Sequence, residues 1–183
     1  MRNNKVLLIV LSGLYIALIY VVQIFSQSFG QLVTGSLVNT MLILAGATAG
    51  LIPGLCVAII SPILAAFNGI GPQNYLMLIF IILGNAVIVI LTYFGFKNAG
   101  DFNKIKNYIF ALIGIILGAV AKFLILWLGI TKFALLIVKN LKPAQITKFT
   151  TMFSIPQLIT ALIGGAIALI LAVPILKALK KIK

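Results

Sequence analysis

The sequence has almost no acidic side chains. Asp101 is its only aspartate or glutamate, Cys56 is its only cysteine, and it has no histidine. No disulfide can therefore form within the chain. Transition-metal sites, proton relays in membranes and acid–base or triad catalysis all need several of these residue types. We therefore expect a protein that is not an enzyme and that holds no metal and no cofactor.

Charge of either sign is scarce as well. Only 8% of the 183 residues are charged and 63% are hydrophobic, and the mean hydropathy is +1.27. This composition is typical of integral membrane proteins. The apolar runs lack the alternation seen in barrel strands, so they predict membrane-spanning helices of about 20 residues. Because the lysines lie between these runs, we expect them to contact lipid headgroups, and we expect no nucleic-acid partner.

The apolar runs predict an all-α integral membrane protein, a six-transmembrane-helix bundle that forms one domain over residues 1–183. The predicted helices cover residues 6–25, 36–50, 53–67, 75–96, 108–130 and 153–176. The second and third share a run that would be ~48 Å long as one helix, which is too long for a single span. We place the break at the GLIPG sequence that contains Pro53.

The segment between the last two predicted helices contains several lysines and is too polar to span a membrane. It predicts an amphipathic surface helix over residues 132–141, ended by Pro143. A long loop is the alternative.

The distribution of basic residues predicts the topology. Six helices place both termini on one side, together with nine lysines and arginines, whereas four fall on the other side. The positive-inside rule then places both termini in the cytoplasm, for a multi-pass protein of a prokaryotic plasma membrane. The segments 26–35, 67–74 and 131–152 would face outside.

Lys122 lies inside an otherwise apolar helix, ~21 Å from its predicted inner end. A charge at such depth costs ~2.5–3.5 kcal/mol on insertion scales, so it is normally paired or faces a cavity. Gly114 and Gly118 precede it at four-residue intervals and indicate a face packed against other helices. We therefore expect Lys122 to point inward. Snorkelling of its ammonium to the outer headgroups is the alternative.

Amide side chains occur at a similar depth in the outer halves of other helices. Any one of them could serve only to bridge helices. Around a lysine without an acidic partner, they predict a pocket open to the outside, in which the missing anion is the ligand. Gln23 closes the first helix, and the predicted substrate-binding residues are Lys122, Asn85, Asn39, Gln157, Trp127, Gln31 and Asn74.

Three of these residues have further expected roles. Trp127 would form a wall beside Lys122, with a position at the membrane interface as the alternative. Gln31 belongs to the sequence SQSFGQLVTG, which we expect to be a flexible lid, and Asn74 to a second candidate gate, NGIGPQN.

On the first helix, Gly13 and Ala17 are four residues apart and could let a partner helix approach closely.

The whole chain resembles the substrate-binding S component of energy-coupling factor (ECF) transporters. The resemblance is carried by GSLVNTMLILAGATAG (35–50), by LGNAVIV in the fourth predicted helix and by FSIPQLITALIGGAIAL (153–169). It implies capture of a vitamin or related micronutrient at the outer face. It also implies delivery with a transmembrane coupling subunit and two ATPase subunits, by toppling of the S component in the membrane. In the family, an alanine-based motif on helix 1 meets the coupling subunit. The matching positions here are Gly13 and Ala17.

The chain contains no P-loop sequence, so ATP hydrolysis would belong to the partner subunits. Lys122 predicts an anionic or amphipathic substrate, and the lack of buried acids argues against cations such as thiamine. Pantothenate, a corrinoid such as cobalamin, and haem all remain open. The alternative function is an autonomous secondary carrier for a small organic anion. Such a carrier would usually show a coupling-ion site and inverted repeats, and neither is evident in the sequence.

Overall fold

The computed structural model describes residues 4–99, 102, 104–138 and 141–181. This part of the chain is helical and contains no β-strand. The α-helices are α1 (Asn4–Ser26), α2 (Gly30–Leu44), α3 (Leu51–Phe67), α4 (Tyr75–Ala99), α5 (Ile105–Leu126), α6 (Pro143–Met152) and α7 (Ile155–Lys181). Two of them continue as wider π-helical turns, α2 over Ala45–Ala49 and α5 over Trp127–Ala134, and α5 then ends in a short turn, Leu135–Ile137.

Four helical stretches are long and apolar enough to cross a membrane. They are Lys5–Ala49, Tyr75–Asn98, Ile105–Ile137 and Pro143–Leu179, while α3 is apolar but has only 17 residues. Many large apolar side chains, such as Ile9, Phe25 and Ile170, lie exposed on the outside of the bundle. An apolar exterior of this extent suits lipid rather than water. The prediction of an all-α protein is confirmed, and four of its helical stretches are long and apolar enough to span a membrane.

The first of these stretches is bent back on itself. The Tyr15 hydroxyl and Thr48 Oγ1 lie 2.5 Å apart, whereas a straight helix would separate these residues by ~50 Å. The reversal takes place in a single 3₁₀ turn, Gln27–Phe29, followed by Gly30 with φ +82°. Glycine is favoured there because a side chain strains a backbone with positive φ. Helices α1 and α2 therefore form a tight hairpin.

This hairpin corrects the prediction for residues 26–35. We expected a flexible segment and a helix that begins at residue 36, but α2 begins at Gly30. Two polar residues of this segment, Gln31 and Thr34, lie on the first turns of α2 and line a cavity. Their polarity reflects that cavity and not a solvent-exposed loop.

The break between α2 and α3 is sharp and lies within the region predicted for it. It occurs at Gly50, whose φ is +109°. A Cβ on Gly54 would lie 2.9 Å from the Cα of Gly46, so the chain reverses with its backbone in close contact. Pro53 lies in the first turn of α3, where a missing N–H costs little because the first amides of a helix have no intrahelical partner.

Helices α4 and α5 pack antiparallel with their backbones in contact. A Cβ built on either Gly95 or Gly114 would lie 2.9 Å from the other residue's Cα. Further along, a Cβ on Gly118 would lie 3.1 Å from the Ile88 side chain. Such close approach is the usual role of small residues in membrane helices.

Helix α7 packs against α2, and the two helices run parallel. Thr40 Oγ1 on α2 donates to the Gly164 carbonyl at 3.2 Å, and Asn39 Nδ2 donates to Thr160 Oγ1 at 3.4 Å. Since α1 and α2 are antiparallel, the Gln27–Gly30 turn and the start of α7 lie at the same end of the bundle. We call this end, which also carries the 68–74 loop and α6, the cavity end.

The prediction of a separate surface helix over residues 132–141 is wrong. Residues up to Ile137 continue α5, Lys139 and Asn140 lie outside the described residues, and the short helix is α6, which begins at Pro143. Proline starts this helix instead of ending one, because its ring fixes a helical φ and its missing N–H is not needed in the first turn. The C-terminal helix predicted from residue 153 begins at Ile155 and extends to Lys181.

Candidate functional site

Lys122 lies on α5 and is only 3% exposed. Its Nζ donates one hydrogen bond to Asn39 Oδ1 on α2 at 2.6 Å and another to Asn85 Oδ1 on α4 at 2.7 Å. Short hydrogen bonds from an ammonium to amide oxygens are stronger than those between neutral groups. The side chain therefore points into the bundle, and the snorkelling alternative does not apply.

The local structure explains how a lysine fits at this position. Gly84 on α4 packs beside its stem, where a Cβ would lie 3.4 Å from Lys122 Cγ and 3.2 Å from Leu126 Cγ. Asn39 is held in turn by Thr160 of α7, which receives the Asn39 Nδ2 hydrogen bond. The amide oxygen of Asn39 is thereby directed at the ammonium.

The charge of Lys122 has no carboxylate partner within the described residues. The one acidic residue of the sequence, Asp101, lies outside them. Lys122 lies ~26 Å along the helix axis from Ile105, where α5 begins. A buried charge is costly unless it is paired and fully hydrogen-bonded. An ammonium has three donors, and the described residues accept from two of them.

Lys122 lines a cavity of about 110 Å³ near the cavity end of the bundle, which we call the inner cavity. Five helices each bring a polar side chain to it: Gln23 from α1, Asn39 from α2, Asn85 from α4, Lys122 from α5 and Gln157 from α7. The structure thus brings together the polar groups that the sequence placed at one depth. Leu126, Phe153 and Val38 are among the apolar residues that complete its wall.

A second, wider space of about 580 Å³ lies beside the inner cavity, and we call it the vestibule. The two spaces share Gln31, Thr34, Ile70 and Met152 as lining residues. The vestibule is also lined by Gln27 and by three residues of α6, Thr147, Lys148 and Thr151. The site therefore consists of a small cavity beside a larger one.

Two predicted site residues do not line the inner cavity. The Trp127 ring stacks on Phe123, with centroids 6.1 Å apart, and lies under Lys132 Nζ, 5.5 Å from its centroid. The helix widens into π-helical turns at Trp127 itself, so spacing from Lys122 along a regular helix did not give its direction. Asn74 immediately precedes α4, and its Oδ1 accepts from the backbone N–H groups of Leu76 and Met77 at 3.0 and 3.4 Å. These contacts give Asn74 a capping role.

Sequence reasoning missed Thr34, Gly35 and Met152, which line the inner cavity beside the predicted Gln31. Gln31, Thr34, Gly35, Val38 and Asn39 recur at intervals of three and four residues, the period of one helix face. This signal was present in the sequence but was hidden because residues 26–35 were assigned to a loop.

Gly13 and Ala17 lie exposed on α1. A Cβ built on Gly13 would meet no atom of the chain within 4 Å. This face of α1 is therefore not used in packing within the bundle.

These features define a class: an all-helical chain with an apolar exterior, compatible with a multi-pass membrane protein, whose bundle holds a buried lysine beside a cavity. Comparisons with protein-family models, with curated proteins and with solved structures give no match.

Proposed function

We propose that the chain is a high-affinity substrate-capture subunit of an ECF-type importer, which binds a small organic anion and delivers it with partner subunits. The observation that carries the proposal is the ammonium of Lys122. It is buried in a cavity wall with a free donor and without a carboxylate partner among the described residues. A cation held in this way is stabilised by an anion that arrives from outside the protein.

The size of the site bears on the ligand. An inner cavity of about 110 Å³ accepts a carboxylate head such as that of pantothenate, but it is too small for a corrinoid ring or a haem. The body of a larger ligand would lie in the vestibule. We therefore favour an elongated anion among the vitamin-like substrates.

The proposed arrangement in the membrane has six crossings, by α1 to α5 and α7. Both termini lie in the cytoplasm and the cavity end faces outside. The distribution of lysines supports this orientation. The exposed small-residue face around Gly13 and Ala17 would meet the transmembrane coupling subunit, and ATP would be hydrolysed by two ATPase subunits.

The proposal is tested by purifying the tagged chain from its native membrane, followed by mass spectrometry of the proteins and small molecules that accompany it. We expect a coupling subunit, ATPases that contain a P-loop, and an organic anion. Uptake of an anion by the purified chain alone in liposomes, driven by an ion gradient, would instead establish the autonomous carrier.

Binding is predicted to depend on Lys122. The substitution Lys122→Met keeps an unbranched side chain, one atom shorter, and removes its charge. The matched control is Lys132→Met, on an exposed side chain of the same helical stretch. Loss of a buried, hydrogen-bonded charge partner typically costs about 2–5 kcal/mol, so affinity for the co-purified anion should fall at least about 30-fold. Isothermal titration calorimetry measures the change. Equal affinities of the two variants for the anion would show that Lys122 does not bind it.

A further inference from the structure

We infer that the ligand is an elongated organic dianion, with one anionic group at Lys122 in the inner cavity and the other at Lys148 in the vestibule. The inference rests on the proposed function and deepens it, because it assigns a second recognition point and a chemical class of substrate.

The first step is the difference in volume between the two spaces. The inner cavity measures about 110 Å³, whereas ligand pockets for whole small molecules usually measure ~300–1,000 Å³. The inner cavity therefore holds an anionic head and little more. The remainder of the ligand needs the adjoining vestibule of about 580 Å³.

The second step is the continuity of the two spaces. Gln31 and Thr34 on α2, Ile70 in the loop before α4, and Met152 at the end of α6 line both of them. A ligand anchored at Lys122 thus leaves the inner cavity between these residues. Its far end then meets α6.

The third step is the chemistry of the vestibule. Thr147, Lys148, Thr151 and Met152 all line it, and their spacing places them on one face of α6. Gln27, Gln31 and Thr34 complete a lining in which side chains that form hydrogen bonds outnumber apolar ones. Lys148 is its charged residue, and no carboxylate lies among the described residues. The charge of Lys148 therefore suits a negatively charged end of the ligand.

The size of the expected effect follows from the exposure of Lys148. An ion pair in contact with solvent contributes ~0.2–1 kcal/mol, which corresponds to at most about fivefold in affinity. This contribution should decrease with rising salt, because exposed charges are screened. Lys148 therefore selects among anions, while Lys122 provides the main anchor.

The test compares each dicarboxylate from succinate to suberate with its own monoamide, in which one carboxylate is replaced by a neutral group of the same shape. Calorimetry is done on the full chain in phosphatidylcholine nanodiscs. At the chain length that fits, the wild type should bind the dicarboxylate more tightly than the monoamide, by up to about fivefold. Lys148→Gln should abolish this preference, because the second carboxylate then has no charged partner in the vestibule. The matched control is Lys142→Gln, because Lys142 is exposed beside α6 and lines neither space. It should keep the preference.

Several results would overturn the inference. They are equal affinities of the wild type for both members of every pair, loss of the preference in both lysine variants, and absence of binding by every probe. A preference that disappears when anionic phosphatidylglycerol is added would assign Lys148 to lipid headgroups, and this too would overturn it. Lys122→Met separates the two proposals. Suppose that Lys122→Met abolishes monoamide binding while the wild type binds the dicarboxylate and the monoamide equally. The proposed function is then supported, and the inference of a dianionic ligand is rejected.

Discussion

At the scale of single residues, the centre of the candidate site is the Lys122 side chain, which two amide oxygens hydrogen-bond but do not neutralise. Asn39 and Asn85 accept hydrogen bonds from Lys122 at 2.6 and 2.7 Å. Amides supply dipoles and no net charge, so they leave the charge of a protonated Lys122 uncompensated in a poorly solvated position. Under the proposed function, an anion of suitable size compensates this charge.

A carboxylate built into the protein should replace the ligand. Asn85→Asp changes few atoms and places a negative charge next to Lys122 Nζ. We expect a higher melting temperature for the ligand-free protein, and anion binding weakened at least about 30-fold, because the counter-charge is now internal. Thermal unfolding and calorimetry measure the two effects.

The matched control is Asn98→Asp, which makes the same change of charge on an exposed side chain near the end of α4. It should alter neither quantity. If Asn85→Asp leaves anion affinity intact, Lys122 is not where the anion binds.

The position of Lys122 could be predicted from the sequence because its depth and the glycines at positions 114 and 118 are local properties of one helix. The depths of Asn39, Asn85 and Gln157 in the membrane were predicted in the same way, from their distances to the predicted helix ends. Trp127 and Asn74 could not be assigned in this way. The direction of Trp127 depends on a π-helical widening, and Asn74 uses its side-chain oxygen on the first backbone amides of α4.

At the scale of elements, the α1–α2 hairpin depends on one glycine. Gly30 combines φ +82° with ψ 176°, a region of backbone conformation occupied almost only by glycine. A Cβ at this position would meet no atom within 4 Å, so a substitution there tests backbone strain alone.

Gly30→Ala should therefore destabilise the protein by about 1–3 kcal/mol. Gly13→Ala is the control, since this glycine is also surrounded by open space but lies inside α1. Alanine is the better helix former, so that variant should be at least as stable as the wild type. Thermal unfolding in detergent compares the three proteins, and equal stability of both variants would contradict the strain at Gly30.

The contact between α4 and α5 requires glycine for a different reason, which is the close approach of the two backbones. A Cβ on Gly114 would come within 2.9 Å of both the Gly95 Cα and the Leu91 carbonyl oxygen. Gly114→Ala must separate the two backbones, and we expect a loss of about 1–3 kcal/mol, as for other overpacked cores. The same unfolding assay measures it. Unchanged stability would show that the helices separate at little cost.

Helix boundaries were predicted least well where polar residues occur inside helices. Gln31 and Thr34 indicated a loop, and Lys132 indicated the start of a separate surface helix. In the structure the first two line a cavity, and Lys132 is exposed over the Trp127 ring. The pattern of polarity did not distinguish a cavity wall or an exposed helix side from a loop.

At the scale of the whole molecule, the chain combines a net charge of +13 with an apolar exterior. The proposed orientation places the cavity end, which includes α6, outside the cell. The sequence predicted the membrane class and the helical fold because both depend on composition and on long apolar runs. The path of the chain between the helices required the structure.

The orientation can be tested with single cysteines, since Cys56 is the only native one. After Cys56→Ser, a cysteine introduced by Thr147→Cys on α6 should react with a membrane-impermeant maleimide added to intact cells. One introduced by Lys97→Cys at the end of α4 should react only after the cells are opened. Both side chains are exposed, so the reverse pattern would invert the proposed topology.

Lys122 also joins three helices, because its own helix α5 is tied to α2 through Asn39 and to α4 through Asn85. Under the proposed function, an incoming anion would bind the same ammonium that holds these two amides. Arrival of substrate would then change how the three helices are held together, and we expect the occupied and empty bundles to differ in rigidity at the centre. A partner that docks on the outside of the bundle could sense this difference without touching the substrate.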